Sequence, residues 1–375
     1  MKKKICLVVS SPLSVNTLLL HPISKLSQHY DVYLAVNAKP GELFPAIENA
    51  VTVLPVPLQR KISPLNDLLA LFKLIVLFRK YRFDLVHSVT PKAGLLGMMA
   101  AFIAGIKTRI HTFTGQVWVT RRGFAKTLLK SMDKLIALLS AHNLVDGLSQ
   151  RQFLLDEGVV SQKTSSVLAQ GSLFGVDIER FKMDTQTRKR IRDKLQITDA
   201  ETVFIFVGRL TRDKGVLDLA AAFAGLNNPQ THLLVVGVDE EQMTEQMRAL
   251  ASDCNTRIHM VGFTDKPEDY MTAADVLCLP SYREGFNNVV IQSAAMGIPT
   301  VGSKIYGVVD SIAENETGLF FQAGDITGLQ AAMEILADDK ELRLKLGQQA
   351  QDRVKKYFTS DQLSSAWLAF YQERV

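Results

Sequence analysis

Ser281-Tyr282-Arg283-Glu284-Gly285-Phe286-Asn287-Asn288-Val289-Val290-Ile291-Gln292 runs on into Ser293-Ala294-Ala295-Met296-Gly297-Ile298-Pro299-Thr300. Before it, Ala274-Asp275-Val276-Leu277-Cys278-Leu279-Pro280 is a short apolar run stopped by proline, the pattern of a buried parallel strand. After the polar loop, Val289 to Met296 is predicted helical, with Gly297 as cap and Pro299 preventing continuation. A loop carrying a carboxylate and backbone amides, between a strand's C-terminal end and a helix N-terminus, is where open α/β sheets bind anionic ligands. Glu284 is therefore predicted to stand at a ligand.

Bulk properties frame this reading. A chain of 375 residues exceeds the roughly 250 to 300 residues at which single cores stop growing, so two domains are expected. A hydrophobic fraction of 47% excludes a disordered or fibrous chain. Cys6, Cys254 and Cys278 are scattered and lack metal-ligand spacing, which fits a reducing compartment and indicates no metal site. Residues 1–170 carry 21 Lys and Arg against 9 Asp and Glu, net +12, while 171–375 carry 22 against 29, net −7. The basic first half suits nucleic acid, anionic lipid or a phosphorylated substrate, the alternative being a solvated basic surface. Met1-Lys2-Lys3-Lys4 before Ile5–Val9 imitates a signal peptide, but no small-residue cleavage site follows, and the run is read as a first strand. Ala93 to Ile106 is too short to span a bilayer.

Along the first half, strands are predicted at Ile5–Val9, Val32–Val36, Thr52–Leu54, Leu85–His87 and Ile110–Thr112. Helices are predicted at Leu18–His29, Asn66–Tyr81, Ala93–Ala104 and Lys126–Ala141. This alternation implies a parallel, doubly wound sheet. The loop Ser10 to Asn16 has no glycine, so both a dinucleotide fingerprint and a Walker loop are missing there. The helix from Asn66 is apolar nearly all round yet ends in Arg79, Lys80 and Arg82. Packing on the sheet with a basic end that suits the helix dipole is one reading, and docking on a membrane surface is the other. Arg121, Arg122, Phe124, Lys126, Lys130 and Lys134 form a second basic and partly apolar patch.

In the second half, Val203–Gly208 reads as a buried strand entering Arg209-Leu210-Thr211-Arg212-Asp213-Lys214-Gly215 and a helix from about Val216. An arginine fork, a lysine point charge and helix amides suit a diphosphate. Leu233–Gly237 and Ile258–Phe263 are further strands. Lys304–Gly307 and Glu314–Leu319 are expected to close the second sheet. The charged run Asp184–Lys194 is expected to be the second domain's opening helix, with final helices around Lys340–Tyr357 and Asp361–Glu373.

Ser281–Gln292 resembles the signature of retaining GT-B glycosyltransferases of family four, in which two glutamates flank seven residues; here the second position is Gln292. The resemblance implies an α/β GT-B fold of two facing Rossmann-like domains with a cleft between them. Residues 1–172 would form the acceptor domain and 173–359 the nucleotide-sugar domain, with a C-terminal helix from about 360 to 375 packing back on the first. Gly171–Phe181 looks like the family's interdomain marker. The family's motifs carry over onto Glu284 at the donor sugar, Gly208, Arg209 and Lys214 at the diphosphate, and main chain around Gly262 and Phe263 at the nucleobase. Gly285, Phe286, Asn287 and Asn288 would complete the loop that meets the donor. Gln292 would face the ribose, with an amide in place of the usual charge. His111 resembles the N-domain histidine used near the donor sugar, and His87 precedes a loop, Pro91-Lys92-Ala93-Gly94, expected to meet acceptor phosphate.

Within the family, Thr114-Gly115-Gln116-Val117-Trp118 and Gly171–Asp177 are most similar to transferases of capsule and O-antigen assembly. That implies transfer, with retention, of an N-acetylated hexosamine from a UDP-linked donor to a polyprenyl-diphosphate-linked saccharide. Neither a cofactor nor a metal is expected, nor a nucleic-acid partner. The place of action would be the inner face of the cytoplasmic membrane, reached through the basic N-domain. The rival readings are a GT-B nucleotide-sugar epimerase or phosphorylase and a catalytically silent sugar-nucleotide-binding scaffold.

Overall fold

Five consecutive residues, Ile5 to Val9, are wholly shielded from solvent, and such a strand can only lie in the middle of a sheet covered on both faces. The computed structural model describes residues 2–59 and 63–375 and places this strand at the centre of the first of two parallel sheets. Seven strands make that sheet: β1 (Lys4–Val9), β2 (Asp31–Val36), β3 (Thr52–Pro55), β4 (Leu85–Val89), β5 (Thr108–Phe113), β6 (His142–Val145) and β7 (Ser165–Val167). Their order is β3-β2-β1-β4-β5-β6-β7. The second sheet has six: β8 (Thr202–Val207), β9 (Thr231–Val236), β10 (Ile258–Gly262), β11 (Val276–Leu279), β12 (Thr300–Ser303) and β13 (Gly318–Phe321), ordered β10-β9-β8-β11-β12-β13. Both are Rossmann-like, with winding that reverses between β1 and β4 in one and between β8 and β11 in the other. The chain divides into two compact units, residues up to Gly175 together with Ser360–Val375, and Val176–Thr359.

Several segments differ from expectation. β6 and β7 were hidden because Asn143 is a buried polar residue within β6 and because the edge strand β7 reads Ser-Ser-Val. The glycine-free stretch after β1 is not a loop: the chain turns helical at Pro12, which occupies a first-turn position where its missing N–H costs nothing. Lys304–Gly307, expected in the sheet, is instead the turn after β12, which ends at Ser303. Helix Pro64–Tyr81 buries Ala70, Leu74 and Phe78 while leaving Leu65, Leu68, Leu69 and Phe72 each more than 60% exposed. Among the described residues no helix is long and apolar enough to cross a membrane.

One buried charge fixes the opening helix of the second unit, Thr185–Lys194. Arg192, 1% exposed, pairs with Asp275 at 2.7 Å and donates to the carbonyls of Ala273, Thr198 and Glu201. Asp275 in turn accepts from Arg188 and from the amide of Val203 at the start of β8. Every polar atom that burial strips of water is thereby given a partner, the condition on which a buried ion pair is tolerable.

The first unit has a corresponding polar core. His87 in β4 is buried between Thr112 (Nε2 to Oγ1, 2.7 Å) and Tyr371 of the terminal helix Ser360–Gln372 (Nδ1 to Oη, 2.6 Å), and its ring stacks on Trp367 at 4.7 Å. His111 in β5 bonds through Nδ1 to Ser88 Oγ (2.8 Å) and meets Phe113 edge-on. Burial pulls His111 down to about 3 and His87 well below the ordinary imidazole value near 6.5. Both rings are therefore neutral in the folded protein at physiological pH.

A pH dependence follows. The unfolded chain takes up a proton at His111 below about pH 6.5 and the folded chain does not, so stability present above that pH is lost as pH falls toward 3. At pH 5 the loss is about 2 kcal/mol, at roughly 1.4 kcal/mol per pH unit. Asp133, pushed up to about 6 chiefly by burial, acts in the opposite sense below pH 6, so the His111 contribution is read by comparison with a variant. Both tryptophans, Trp118 and Trp367, lie in this unit. Urea unfolding followed by their fluorescence should show wild type losing about 2 kcal/mol more than His111→Gln between pH 7.5 and 5; equal losses would contradict the assignment.

Candidate active site

In a doubly wound sheet, ligands gather where the winding reverses, outside the carboxyl ends of the two strands that diverge. In the second unit those strands are β8 and β11, and the two sequence stretches singled out above leave from their C-terminal ends. After β8 the chain passes through Gly208 and Arg209 into a tight turn, Arg212–Lys214, and then helix Val216–Ala224. After β11 it passes through Ser281–Gly285 into helix Asn288–Ala295. Two glycines, one in the segment after β8 and one in the turn after β12, let their segments pack closely on the loop after β11. Gly215 has φ +68° and lies so close to the loop that an added Cβ would sit 2.0 Å from the carbonyl oxygen of Pro280. Gly307, at φ +83°, would place one 1.7 Å from the carbonyl oxygen of Gly285. Any side chain at either position would force the Glu284 loop out of place.

Held this way, Glu284 is 9% exposed and its Oε1 accepts from Lys214 Nζ at 2.6 Å and Ser281 Oγ at 2.7 Å. A second bridge runs in parallel: Arg283 pairs with Asp213, whose other oxygen accepts from Thr211 Oγ1 at 2.6 Å, while the Tyr282 amide donates to the Asp213 carbonyl. Burial raises the Asp213 carboxyl, but the Thr211 hydrogen bond and the charges of Arg283 and Lys214 outweigh it and hold the group below the ordinary carboxylate range. Tyr282 donates to Asp218, and burial together with that carboxylate pushes the phenol up to about 12. The turn after β8 and the loop after β11 are thus joined by two ion pairs at the floor of the crevice.

The remaining predicted residues divide by what their side chains do. Arg209 pairs with Glu240 at 2.7 Å. Asn287 caps its helix, accepting from Val289 N and Val290 N, so its side chain serves the fold. Phe286 is buried against Phe358, leaving only main chain to meet a ligand. Gln292, partly buried, lies one helical turn beyond Asn288 on the same helix face. Gly262 ends β10, and with Phe263, Leu210, Gly237, Asp239 and Met260 it lines an open pocket of about 410 Å³. Among the described residues no three His, Cys, Asp or Glu side chains converge as metal ligands.

His111, compared above with a histidine near the donor sugar, is a buried residue of the first unit. β5 continues to Phe113, so the ring lies within the strand, 1% exposed, and packs so tightly on Gly94 that a Cβ there would be 2.4 Å from its Cε1. His87 is likewise committed to Thr112 and Tyr371. Lys92, expected at acceptor phosphate, pairs with Asp67 at 2.7 Å. Sequence reasoning passed over Ser281, Asp213, Arg283 and Glu240. For Arg283 and Asp213 the signal was their adjacency to Glu284 and Lys214, and for Ser281 its place three residues before Glu284, whereas nothing in the sequence pointed from Arg209 to Glu240.

Comparison with known proteins agrees with this arrangement. Residues 187–353 match the family model described as glycosyl transferases group 1, and residues 4–143 the one described as glycosyl transferase 4-like. The capsular polysaccharide biosynthesis glycosyltransferase CapM of Staphylococcus aureus is 29% identical over 85% of each chain. An Escherichia coli UDP-Gal:alpha-D-GlcNAc-diphosphoundecaprenol alpha-1,3-galactosyltransferase is 28% identical over 85% of this chain and 83% of its own. Among solved structures, Anabaena HepE in complex with UDP superposes with a TM-score of 0.81 at 16% identity over the full length of both chains. With a group 1 region on one Rossmann-like sheet and a 4-like region on the other, the chain has the GT-B fold and carries the two kinds of domain of a glycosyltransferase.

Proposed function

We propose that the chain transfers a sugar, with retention, from a UDP-linked donor to a polyprenyl-diphosphate-linked saccharide in the assembly of a surface polysaccharide. The observation that carries this reading is the Lys214–Glu284 pair at the switch point of the second sheet. A lysine from the turn after one strand and a carboxylate from the loop after its neighbour are held where a nucleotide diphosphate and its sugar would meet. Arg209, Lys214 and the amides of the turn would stabilise the charge gathering on the departing diphosphate, the kind of preorganised electrostatic contribution that dominates such chemistry. That set supplies positive charge without a metal. Glu284 would face the donor sugar, Gln292 the ribose, and the pocket at Gly262 and Phe263 the base.

The lipid-linked acceptor is supported by the E. coli relative, named for a diphosphoundecaprenol-linked substrate, and surface-polysaccharide assembly by the capsule relative. An N-acetylated hexosamine as the transferred sugar rests on the resemblance of Thr114–Trp118 and Gly171–Asp177, while the E. coli relative is named for UDP-galactose. Incubating the protein with a lipid-diphosphate-linked acceptor and UDP-GlcNAc, UDP-GalNAc or UDP-galactose in turn, with EDTA present, decides the donor and tests the metal-free reaction. UDP binding without transfer or hydrolysis of any donor would mark the chain instead as a sugar-nucleotide-binding scaffold, the reading that Gln292 favours.

A lipid acceptor stays in its bilayer, and the first unit offers a surface to meet it. Leu65, Leu68, Leu69, Phe72 and Val76 stand exposed on helix Pro64–Tyr81, and Phe124, Leu128, Leu135 and Leu138 on helix Gly123–Leu139. Both helices pack against the helix Pro91–Ile103. Exposed Lys73, Arg79, Lys80, Arg121 and Arg122 accompany the apolar residues. Apolar burial and attraction to anionic lipid then act together on the inner membrane face, each basic residue contributing about 1 kcal/mol, screened by salt.

Two outcomes test these assignments. Lys214→Ala and Arg209→Ala should each retain the fold while losing about 2 to 4 kcal/mol of transition-state stabilisation, a fall of roughly 10²- to 10³-fold in turnover; wild-type rates in either would remove the diphosphate assignment. In liposome flotation, binding should require anionic lipid, weaken with salt, and drop when Arg79, Lys80, Arg121 and Arg122 are changed to Ser. Equal binding to neutral liposomes, or wild-type flotation of the four-fold variant, would contradict docking through these helices.

A further inference from the structure

The guanidinium assigned to the donor diphosphate already has a partner. Arg209 Nη1 lies 2.7 Å from Glu240 Oε2, and the placement is built into the backbone. The segment after β9 runs beside the segment after β8, with the Leu210 amide donating to the Val238 carbonyl (2.8 Å) and the Glu240 amide to the Leu210 carbonyl (3.3 Å). Asp239 secures the next turn by accepting from the amides of Met243 (2.8 Å) and Thr244 (2.9 Å), and Glu241 accepts the Arg212 amide at 2.9 Å. Glu240 is therefore held opposite Arg209 by main-chain geometry that does not depend on its own carboxylate.

We propose that Glu240 is an intramolecular competitor of the nucleotide diphosphate for Arg209, lowering nucleotide affinity and hastening departure of the product. This inference rests on the reading of Arg209 as a diphosphate ligand. A carboxylate and a phosphate oxygen make the same charge-assisted bond to a guanidinium, so both draw on the same donors. The two side chains are 37% and 34% exposed, and a pair so open to water is weak enough to be exchanged for a diphosphate carrying more charge. Lys214 differs: its partner Glu284 is more deeply buried and shared with Ser281. Of the two cations, Arg209 has the partner that can be displaced.

The test is calorimetric titration with UDP of wild type, Glu240→Gln, Arg209→Ala and the double variant, with stopped-flow measurement of UDP dissociation. Glu240→Gln should bind UDP about three- to fivefold more tightly, the range an exposed pair can supply, and release it more slowly. Arg209→Ala should weaken binding, and adding Glu240→Gln to it should change nothing further. If Glu240→Gln binds UDP no more tightly while Arg209→Ala still weakens binding, the competitor role is overturned and the donor site stands. Equal tightening in the Arg209→Ala background would reduce the effect to a long-range field and overturn the role as well. UDP affinity unchanged by Arg209→Ala would remove the donor-site reading and this inference with it.

Discussion

The ion pair between Lys214 and Glu284 ties together segments seventy residues apart, and the second unit is arranged so that it can form. It needs β8 and β11 as neighbours, which the winding order provides. It needs the turn at Lys214 against the loop at Glu284, which the absent side chain of Gly215 permits, and the loop seated on the turn after β12, which that of Gly307 permits. It also needs a floor that does not shift, which the parallel bridge from Thr211 through Asp213 to Arg283 supplies. A carboxylate this shielded is stable only with hydrogen-bond and charge partners at hand, so Ser281 and Lys214 both stabilise the loop and set the direction of the charge. The proposed ligand chemistry and the stability of the loop rest on the same few atoms.

Much of this was legible in the sequence because parallel sheets leave plain marks. Apolar runs such as Val203–Val207 and Val276–Leu279, each ending in glycine or proline and followed by a helical stretch, dictate strand, loop and helix. The marks fail where polarity and burial part company. Asn143 hid β6, and Arg192, in a run that reads as a solvated helix, is among the most buried side chains in the protein. The site shows the same division. Glu284, Arg209 and Lys214 announce themselves by type and position, but Glu240 meets Arg209 only because two loops run side by side. His111 shows the same limit from the other side: its type and place suggested a ligand role, and nothing in the sequence displays the buried setting beside Ser88 and Phe113 that the fold gives it.

Helix Pro64–Tyr81 invited a choice between core packing and surface docking, and its residues do not require one. Ala70, Leu74 and Phe78 face inward while Leu65, Leu68, Leu69 and Phe72 face solvent. An apolar stripe on the sheet side is what folding needs. A second one on the outer side, beside Lys73, Arg79 and Lys80, contributes nothing to the core and is a standing liability in water unless something covers it. Under the proposed function, the basic first half of the chain would supply attraction to an anionic surface, while in the acidic second half the donor site would depend on the local charges of Arg209 and Lys214.

In the proposed reaction Glu284 acts on the sugar while its lysine partner acts on the diphosphate. Glu284→Gln separates the two, because an amide keeps the size of the side chain and can still accept from Ser281 and Lys214 while the negative charge is lost. UDP affinity and sugar transfer measured on that single variant test the claim most directly. UDP should bind as tightly as to wild type or more so, with transfer reduced by at least about 10²-fold, the scale on which a charge placed at the reacting group counts. Transfer at wild-type rates would contradict it, as would a collapse of UDP binding in a variant that still folds.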